Sequence, residues 1–328
     1  MSGRLARMLR PVRVRAALVI MVLLLSVAAL ADLLAADLPL VLHIDGELHL
    51  LPNLTRPAQL RAWNNQQLER ALRAQGDWAI FPPIAWGQNS HDLEAVLAPP
   101  STRHWLGTDS SGRDVCARIV HGTRVSLSVG LGSALLIACF GLSVGLLAGY
   151  CGGFIDSLLM RCVDALHAVP TLLLLVTMLS VLRPSGRAAV FSLLLVIGLV
   201  RWTDLARLVR AETRRVRALP YIEAARALGL SAPRIIVRHL LPNLLSPVLV
   251  AASFSMGAAI VLEGALSFLG FGMPPDVASW GSLLGDAREH VEAWWLALAP
   301  GLALFLSIAA YNQLAEAVRD SVDPTLDL

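Results

Sequence analysis

The sequence predicts an all-α integral membrane protein with about six transmembrane helices. Of its 328 residues, 56% are hydrophobic and 16% are charged, and the mean hydropathy is +0.64. A soluble domain carries about 25% charged residues, so this chain is too apolar for a single soluble core. Long charge-free stretches point the same way, because a helix needs about 20 apolar residues to cross a bilayer.

The charge-free stretches predict six helices in order along the chain. The first covers 16–36, with Asp32 as its one charge. The fourth has only 13 residues before Arg201 interrupts it, so its boundaries are the least defined. The later five stretches are 125–155, 165–182, 188–200, 239–262 and 293–315.

Arginine placement predicts the orientation of these helices. Five arginines precede the first span, and nine more lie from Arg201 to Arg238. Basic residues concentrate on the cytoplasmic side of membrane proteins, so both clusters and both termini are expected inside, with an N-terminal arm at 1–15 and a tail at 316–328. The early arginines are Arg4, Arg7, Arg10, Arg13 and Arg15.

The first span also resembles a signal peptide, with a possible cleavage site at Ala29-Leu30-Ala31. Hydrophobicity continues to residue 36, which favours an uncleaved anchor. Segment 37–124 is then periplasmic, and its nine acidic residues and eight arginines are typical of a solvated region. Four tryptophans in it favour an ordered, loop-rich insert. They are Trp63, Trp78, Trp86 and Trp105.

Composition excludes several function classes. The net charge of +3 argues against a nucleic-acid-binding protein. All 27 basic residues are arginine, so the chain has no P-loop lysine and no Schiff-base lysine. The four cysteines lack C-x-x-C spacing and the eight histidines lack H-E-x-x-H spacing, so neither a disulfide framework nor a metal site is expected.

Three glycines, Gly141, Gly145 and Gly149, recur at four-residue spacing in the second span. Small residues at this spacing let another helix approach closely. We therefore expect a helix-packing face, the alternative being a lipid-facing run that is glycine-rich by chance.

Between the fourth and fifth spans, segment 221–243 predicts two short helices joined at a glycine. Gly229 suits the left-handed position at a helix end. Ser231 can cap the next helix, Pro233 fits its first turn, and Pro242 either ends that helix or kinks it at the membrane.

This segment resembles the EAA loop of ABC importer permeases, and two further blocks resemble the dipeptide/oligopeptide permeases in their second, C-type subunit. Leu106-Gly107-Thr108-Asp109, Gly112-Arg113-Asp114 and Gly122-Thr123-Arg124-Val125-Ser126-Leu127 form the first block. Glu263, Leu266-Ser267-Phe268-Leu269-Gly270 and Arg319-Asp320 with Asp323-Pro324 form the second. The EAA-loop matches are Glu223, Ala224, Ala225, Gly229, Leu241 and Pro242.

The resemblance covers roughly 100–328, and the insert ahead of it is longer than in a typical member. This insert, with Phe81-Pro82-Pro83-Ile84 and Trp86-Gly87, is most similar to the Yej-type branch, which imports microcin C and oligopeptides.

The resemblance implies a type I ABC importer permease in the bacterial inner membrane, with a permease core at 125–315. It implies alternating access, a second permease subunit in a heterodimer, two ATP-binding subunits that carry ATP and Mg, and a periplasmic peptide-binding protein. It implies contact with lipid and peptide, with no cofactor and no catalytic site in this chain. The EAA loop would dock the ATPase.

Several single residues carry more local predictions. Asp109, Arg113 and Asp114 can pair at the outer membrane boundary. Glu263 is expected to face the bundle interior, either as a structural residue or in the transport pathway. Asp204 lies three residues from both Arg201 and Arg207, so it is expected to form a local ion pair with them. Pro170 is expected to bend the third span.

Three alternatives remain open. One is an ABC permease for another substrate, such as nickel or a glycoside. An ion-coupled secondary transporter would need titratable groups at mid-membrane and inverted repeats. An intramembrane enzyme would need a convergent nucleophile, base or metal set.

Overall fold

The computed structural model describes residues 12–44, 47–57, 68, 72, 77–182 and 185–322. The predictions that concern Arg4, Arg7, Arg10, Trp63 and 323–328 therefore fall outside the described residues. Within these ranges, five helices are long and apolar enough to cross a membrane, or six when one bent pair counts as a single span. The predicted class, a helical membrane protein with about six spans, is confirmed.

The first span is helix α1 (Val12–Ala29), followed by a short helix α2 (Ala31–Leu34). Helix α1 therefore ends seven residues before the end of the predicted span, 16–36, and begins four residues before its start. Two side chains of the next long helix hold this junction: Arg124 Nη1 donates to Asp32 Oδ2 at 3.0 Å, and His121 Nε2 bonds to the Ala35 carbonyl at 2.9 Å.

The insert contains a small antiparallel sheet that the sequence did not predict. Its strands are β1 (Val41–Ile44), β2 (Glu47–Leu50) and β3 (Trp78–Ile80), in the order β2-β1-β3. Helix α3 (Pro52–Thr55) follows β2. One face of the sheet packs on a small core formed by Leu38, Leu42, Leu68 and Leu72.

Helices α4 (Val115–Cys151) and α7 (Arg187–Arg217) form the centre of the bundle. Gly132 meets Leu194, Gly141 meets Leu205 and Gly149 meets Thr213, so contact positions rise together along both helices and the two run parallel. A Cβ on Gly145 would lie 2.5 Å from the Ala206 carbonyl oxygen. The predicted small-residue packing face is therefore confirmed.

Both central helices are longer than predicted. Helix α4 begins at Val115, ten residues before the charge-free stretch starts, and α7 continues from 200 to Arg217. Counting to the first charge ended the fourth stretch at Val200, whereas the helix itself continues through the arginines beyond that point.

The third span is bent rather than straight. Helices α5 (Gly153–His167) and α6 (Thr171–Leu182) meet at 84° around Pro170. A single helix over 165–182 is therefore incorrect, whereas the bend expected at Pro170 is present. Since α4 and α7 run parallel, the α5–α6 pair returns the chain from one end of the bundle to the other.

The C-terminal half consists of α10 (Leu241–Phe268), α11 (Trp280–Glu289) and α12 (Trp294–Val322). Glu263 is fully buried where α4, α10 and α11 meet, as expected for an interior residue. Its carboxylate accepts hydrogen bonds from Ser126 Oγ at 3.1 Å and Ser267 Oγ at 3.0 Å.

These contacts define two ends of the bundle. The insert end holds the insert, the start of α4, the end of α10 and α11. The elbow end holds the end of α4, the end of α7 and segment 221–243. Gly264 lies beside Leu304, and Gly257 lies beside Asn312, so α10 and α12 run antiparallel. Residues 12 and 322 therefore both lie towards the elbow end.

Candidate functional site

The elbow, residues 221–243, begins with helix α8 (Pro220–Ala227). Gly229 follows with a φ of +80°, the left-handed conformation that its position predicted. The Leu230 N–H donates to the Ala225 carbonyl at 3.1 Å, and the Gly229 N–H donates to the Arg226 carbonyl at 2.9 Å. This pair of bonds is a Schellman motif, which terminates the helix and reverses the chain.

The second half of the elbow departs from the prediction in two places. Ser231 stands at the N-cap of helix α9 (Ala232–Ile235), yet its side chain makes no capping bond. Pro233 lies in the first turn, as predicted. A π-helical turn, Ile236–Leu240, then leads directly into α10, so Pro242 occupies the first turn of α10 and does not end the helix.

Apolar contacts attach the elbow to the bundle. Ile222 of α8 and Ile235 of α9 are buried to 0% and 1% exposure. They pack with Val216 of α7 and with Leu240 and Leu244 at the entry to α10 in one cluster. The elbow is therefore packed against two membrane helices at once.

The elbow's outward surface carries most of the predicted site residues. Glu223, Ala224, Gly229 and Pro242 are exposed, whereas Ala225 is buried and Leu241 is partly buried. Large apolar side chains are exposed beside them, with Leu228 at 81% and Val237 at 64%. Leu228 and Val237 were not among the predicted site residues, although an apolar residue beside a surface glycine, such as Leu228, is a usable signal. Exposed apolar patches mark surfaces that contact another protein or the membrane.

On this surface the acidic side chain has no described partner, whereas two of the arginines contact an aromatic ring. The Glu223 carboxylate has no hydrogen bond or ion pair with any residue that the structure describes, and its backbone N–H donates to the Leu219 carbonyl at 3.3 Å. The Arg226 guanidinium instead lies 5.4 Å from the centre of the Tyr150 ring, and that of Arg217 lies 5.7 Å from it. Because the neighbouring arginines are engaged elsewhere, the Glu223 carboxylate is available to a basic group of another chain.

Ion pairs link α7 to α5 just above the elbow. Asp156 bonds to Arg210 and Arg214, and the Asp164 Oδ1 accepts from Arg207 Nη2 at 2.6 Å. These cross-helix pairs engage three of the six arginines that α7 carries beyond residue 200.

Asp204 pairs with Arg201 as predicted, at 3.3 Å between its Oδ2 and Arg201 Nη1. The predicted pairing with Arg207 is wrong, because Arg207 reaches across to Asp164 on α5. The second partner of Asp204 is His167, whose Nε2 lies 3.2 Å from Asp204 Oδ1.

A second polar cluster lies at the insert end. Asp109 is fully buried and accepts from Arg113 Nε at 2.7 Å and from the Arg113 and Ser111 backbone N–H groups at 2.9 Å. Asp114 accepts from the Ala117 N–H at 2.7 Å and caps α4. The expected pairing of Asp109 with Arg113 is confirmed, whereas Asp114 serves the helix start.

His104 links the insert to the start of α4 through hydrogen bonds. It bonds from Nδ1 to Asp114 Oδ2 at 2.8 Å and from Nε2 to Asp92 Oδ2 at 3.3 Å. Burial disfavours the charged imidazole, but the two carboxylate hydrogen bonds together outweigh burial and raise the pKa of His104 above its ordinary value. Sequence spacing did not single out His104, because Asp92 and Asp114 meet it only in the folded insert.

Metal binding finds no support in the described ranges, which hold no group of three or more His, Cys, Asp or Glu side chains placed around a common point. The polar clusters consist of ion pairs and hydrogen bonds between protein groups.

Comparison with known proteins identifies the family. Residues 141–326 match the model of the binding-protein-dependent transport system inner membrane component. The glutathione transport system permease protein GsiD of Pectobacterium atrosepticum is 39% identical over 250 residues, which cover 76% of this chain and 82% of that protein. The dipeptide transport system permease protein DppC of Alkalihalophilus pseudofirmus is 38% identical over 76% of this chain and 81% of its own length.

The inner membrane ABC transporter permease protein YejE of Escherichia coli is 36% identical over 320 residues, or 93% of this chain and 91% of that protein. Its alignment is therefore long enough to include most of the insert, which confirms the similarity to the Yej-type branch. An inward-facing structure of the MetNI methionine ABC transporter superposes with a TM-score of 0.45 at 21% identity, over 61% of this chain and 95% of that chain. The chain belongs to the binding-protein-dependent transport system inner membrane component family and is a multi-pass, inner-membrane permease subunit of an ABC importer.

Proposed function

We propose that this permease imports peptides, and that the elbow is where ATP-binding subunits drive it. Relatives named as dipeptide, glutathione and putative peptide permeases support the substrate class. The observation that carries the mechanism is Glu223, an exposed carboxylate without a described partner on a surface next to exposed Leu228. An apolar patch with one unpaired charge suits a protein partner better than lipid or water.

The orientation follows from charge. The elbow end carries the arginines of α7 and the elbow, so we place it and both termini in the cytoplasm. The insert, 37–124, then lies in the periplasm, where a peptide-binding protein delivers its cargo. Reporter fusions at Gln88 and Gly229 are expected to give opposite signals, and equal signals would contradict the orientation.

In this mechanism the chain performs no bond chemistry. Two separate ATPase subunits hold ATP and Mg, and their closure pushes on the elbow through Glu223, Ala224 and the exposed apolar side chains. Ile222 and Ile235 transmit the displacement to α7 and α10, because both are buried against those helices. The helices then rearrange, together with those of a second permease subunit, around a shared pathway.

The ion pairs between α5 and α7 extend this linkage. Asp156 connects to Arg210 and Arg214, so the last turns of α7 and the first turn of α5 move as one unit. Since α5 continues into α6 through the bend at Pro170, a push at the elbow also reaches the third span.

A charge reversal at Glu223 tests the proposal. Glu223→Arg puts a cation where the ATPase is expected to present a basic group, so ATPase association and peptide uptake are both expected to be lost. Glu292→Arg is the matched control, because Glu292 is also exposed and has no described partner but lies at the insert end. The measurements are a pull-down of the ATPase subunits and uptake in a strain that requires imported peptide.

Normal membrane abundance of Glu223→Arg, together with lost association, would support the proposal. Transport at the wild-type rate by Glu223→Arg would show that the elbow is not the coupling element. A parallel uptake panel with nickel and a glycoside tests the substrate class separately.

A further inference from the structure

A cavity of about 520 Å³ lies at the insert end, between the start of α4, the end of α10 and α11. Its volume falls in the range of roughly 300–1,000 Å³ that is typical of small-molecule sites. Residues 270–275 line one side of the cavity, and Ser180 and Leu193 line another. The charged groups in its wall include Arg113, Arg118 and Asp286.

Arg118 is the unusual member of this wall. Only 1% of it is exposed, and within the described part of the chain its guanidinium makes one hydrogen bond, from Nη1 to the Pro275 carbonyl at 3.4 Å. Its Nε lies 3.5 Å from Asp109 Oδ2 and has no hydrogen-bond partner among the described residues. A guanidinium has five N–H donors, and no described residue accepts a hydrogen bond from the buried Nε–H of Arg118.

The neighbouring acids balance part of the charge of Arg118 but leave its Nε–H without a hydrogen bond. Asp109 is already occupied by Arg113 Nε and by two backbone N–H groups. The Asp286 Oδ2 is buried without a hydrogen bond and lies 3.8 Å from Arg113 Nη2. Burial, and next the charge of Asp109, raise the pKa of Asp286, which weakens it as a counter-ion.

A buried charge without sufficient partners is costly, so a ligand that supplies two oxygens would complete the site. The guanidinium fork matches a carboxylate in a bidentate geometry. Transported peptides of any sequence carry such a group at the C-terminus. The cavity also lies a full helix away from the elbow, since the 28 residues of α10 span roughly 42 Å.

We propose that this cavity binds the C-terminal carboxylate of a peptide, with Arg118 as its anchor. The inference rests on the proposed peptide transport and adds a substrate contact within the permease itself. Asp109 and Arg113 position the Arg118 side chain, and the loop that contains Pro275 covers it. Recognition of the terminus alone makes the site indifferent to peptide sequence.

The test uses the complete transporter in nanodiscs, without its binding protein, and measures equilibrium binding of trialanine and of its C-terminal amide. The wild type is expected to bind the acid on the order of tenfold more tightly than the amide. Arg118→Gln is expected to bring this ratio to about one, and Arg118→Lys to reduce it partly. Arg103→Gln, which removes a half-exposed arginine paired with Asp92 outside the cavity, is the control and is expected to retain the ratio.

Equal affinity of the wild type for acid and amide would overturn the inference, and so would an unchanged ratio in Arg118→Gln. Displacement of trialanine by equimolar acetate or phosphate would indicate a general anion site and would also overturn it. If Arg118→Gln does not fold, protection of Ser180→Cys from a thiol reagent by the acid, and not by the amide, tests the same site. Peptide uptake by the same complex separates the two proposals. If peptides are taken up but the acid does not bind more tightly than the amide, only this inference is contradicted. If no peptide is taken up, the proposed function is contradicted.

Discussion

At the insert end, Asp92, His104, Asp109 and Asp114 are all at most 2% exposed, and hydrogen bonds connect them to the start of α4. At the elbow end, Glu223 is exposed without a described partner, and the segment is attached mainly through Ile222 and Ile235. The first arrangement is satisfied within the chain, whereas the second presents its polar group outward.

This difference separates a fixed end from a responsive end. Buried polar networks favour one geometry, because any displacement leaves charged groups unpaired. An element attached by a few apolar side chains can shift or repack at lower cost, and such regions lie at the low-stability end of a protein. Four predictions test this contrast, in order of decreasing effect on stability.

The largest effect is expected from Asp109→Ala. It leaves the buried guanidinium of Arg113 without its 2.7 Å partner, and loss of one partner of a buried pair costs about 3–5 kcal/mol. Asp32→Ala is the control, since the Asp32–Arg124 pair is about 40% exposed and such pairs contribute about 0–1 kcal/mol. Unfolding of the purified protein in detergent measures both, and equal losses would contradict a fixed insert end.

A smaller effect is expected from Gly145→Ala at the α4–α7 contact. The added Cβ would lie 2.5 Å from the Ala206 carbonyl oxygen, and overpacking of this kind costs about 1–3 kcal/mol. Gly301→Ala in α12 is the matched substitution, because no atom lies within 4 Å of its Cβ. The free energy of unfolding is expected to fall only for Gly145→Ala, and a neutral result would show that the two helices separate easily.

Gly229→Val is expected to cost about 1–2 kcal/mol of stability through backbone strain alone. A Cβ there meets no atom within 4 Å, so the positive φ is the only obstacle. Gly229→Asn, which tolerates this conformation better, is expected to retain more activity. Peptide uptake should be severely reduced in the valine variant while membrane abundance stays normal. Unaltered uptake would show that transport does not depend on the conformation of the elbow at Gly229.

The smallest effect concerns pH at the insert end. Because the pKa of His104 is raised in the folded state, its stabilising contribution is complete below the unfolded value of about 6.5 and is lost as pH rises through the folded value. The melting temperature of the wild type relative to His104→Gln should therefore decline from pH 5.5 to pH 8.5. A difference that stays constant or grows across this range would contradict the assignment.

Local patterns in the sequence predicted local structure well. Gly229 at the end of α8 and the Asp109–Arg113 pair at i, i+4 each depend on a few neighbouring residues, and both were confirmed. The Ser231 capping bond was wrong even though its position was right, because a helix start can form without that bond.

Features that depend on distant residues were not predictable in this way. Helix α7 extends past residue 200, and its arginines there pair with Asp156 and Asp164, which lie more than forty positions away in the sequence. The network of His104 joins residues 10 and 12 positions apart through an irregular loop. The roles of Glu223, Ala224, Ala225, Gly229, Leu241 and Pro242 in docking stay a prediction, since a partner chain is needed to test them.

The π-helical turn Ile236–Leu240 sets the angular position of the elbow on α10. Its bonds run from i to i+5, so it holds one residue more than an α-helical turn would. If this turn changed to the α-helical pattern, the part of the elbow before it would shift by about 1.5 Å along the axis of α10. The same change would rotate that part by about 100° around α10. Because of this single extra residue, a change in the turn would couple a rotation of the elbow to a shift along the axis of α10.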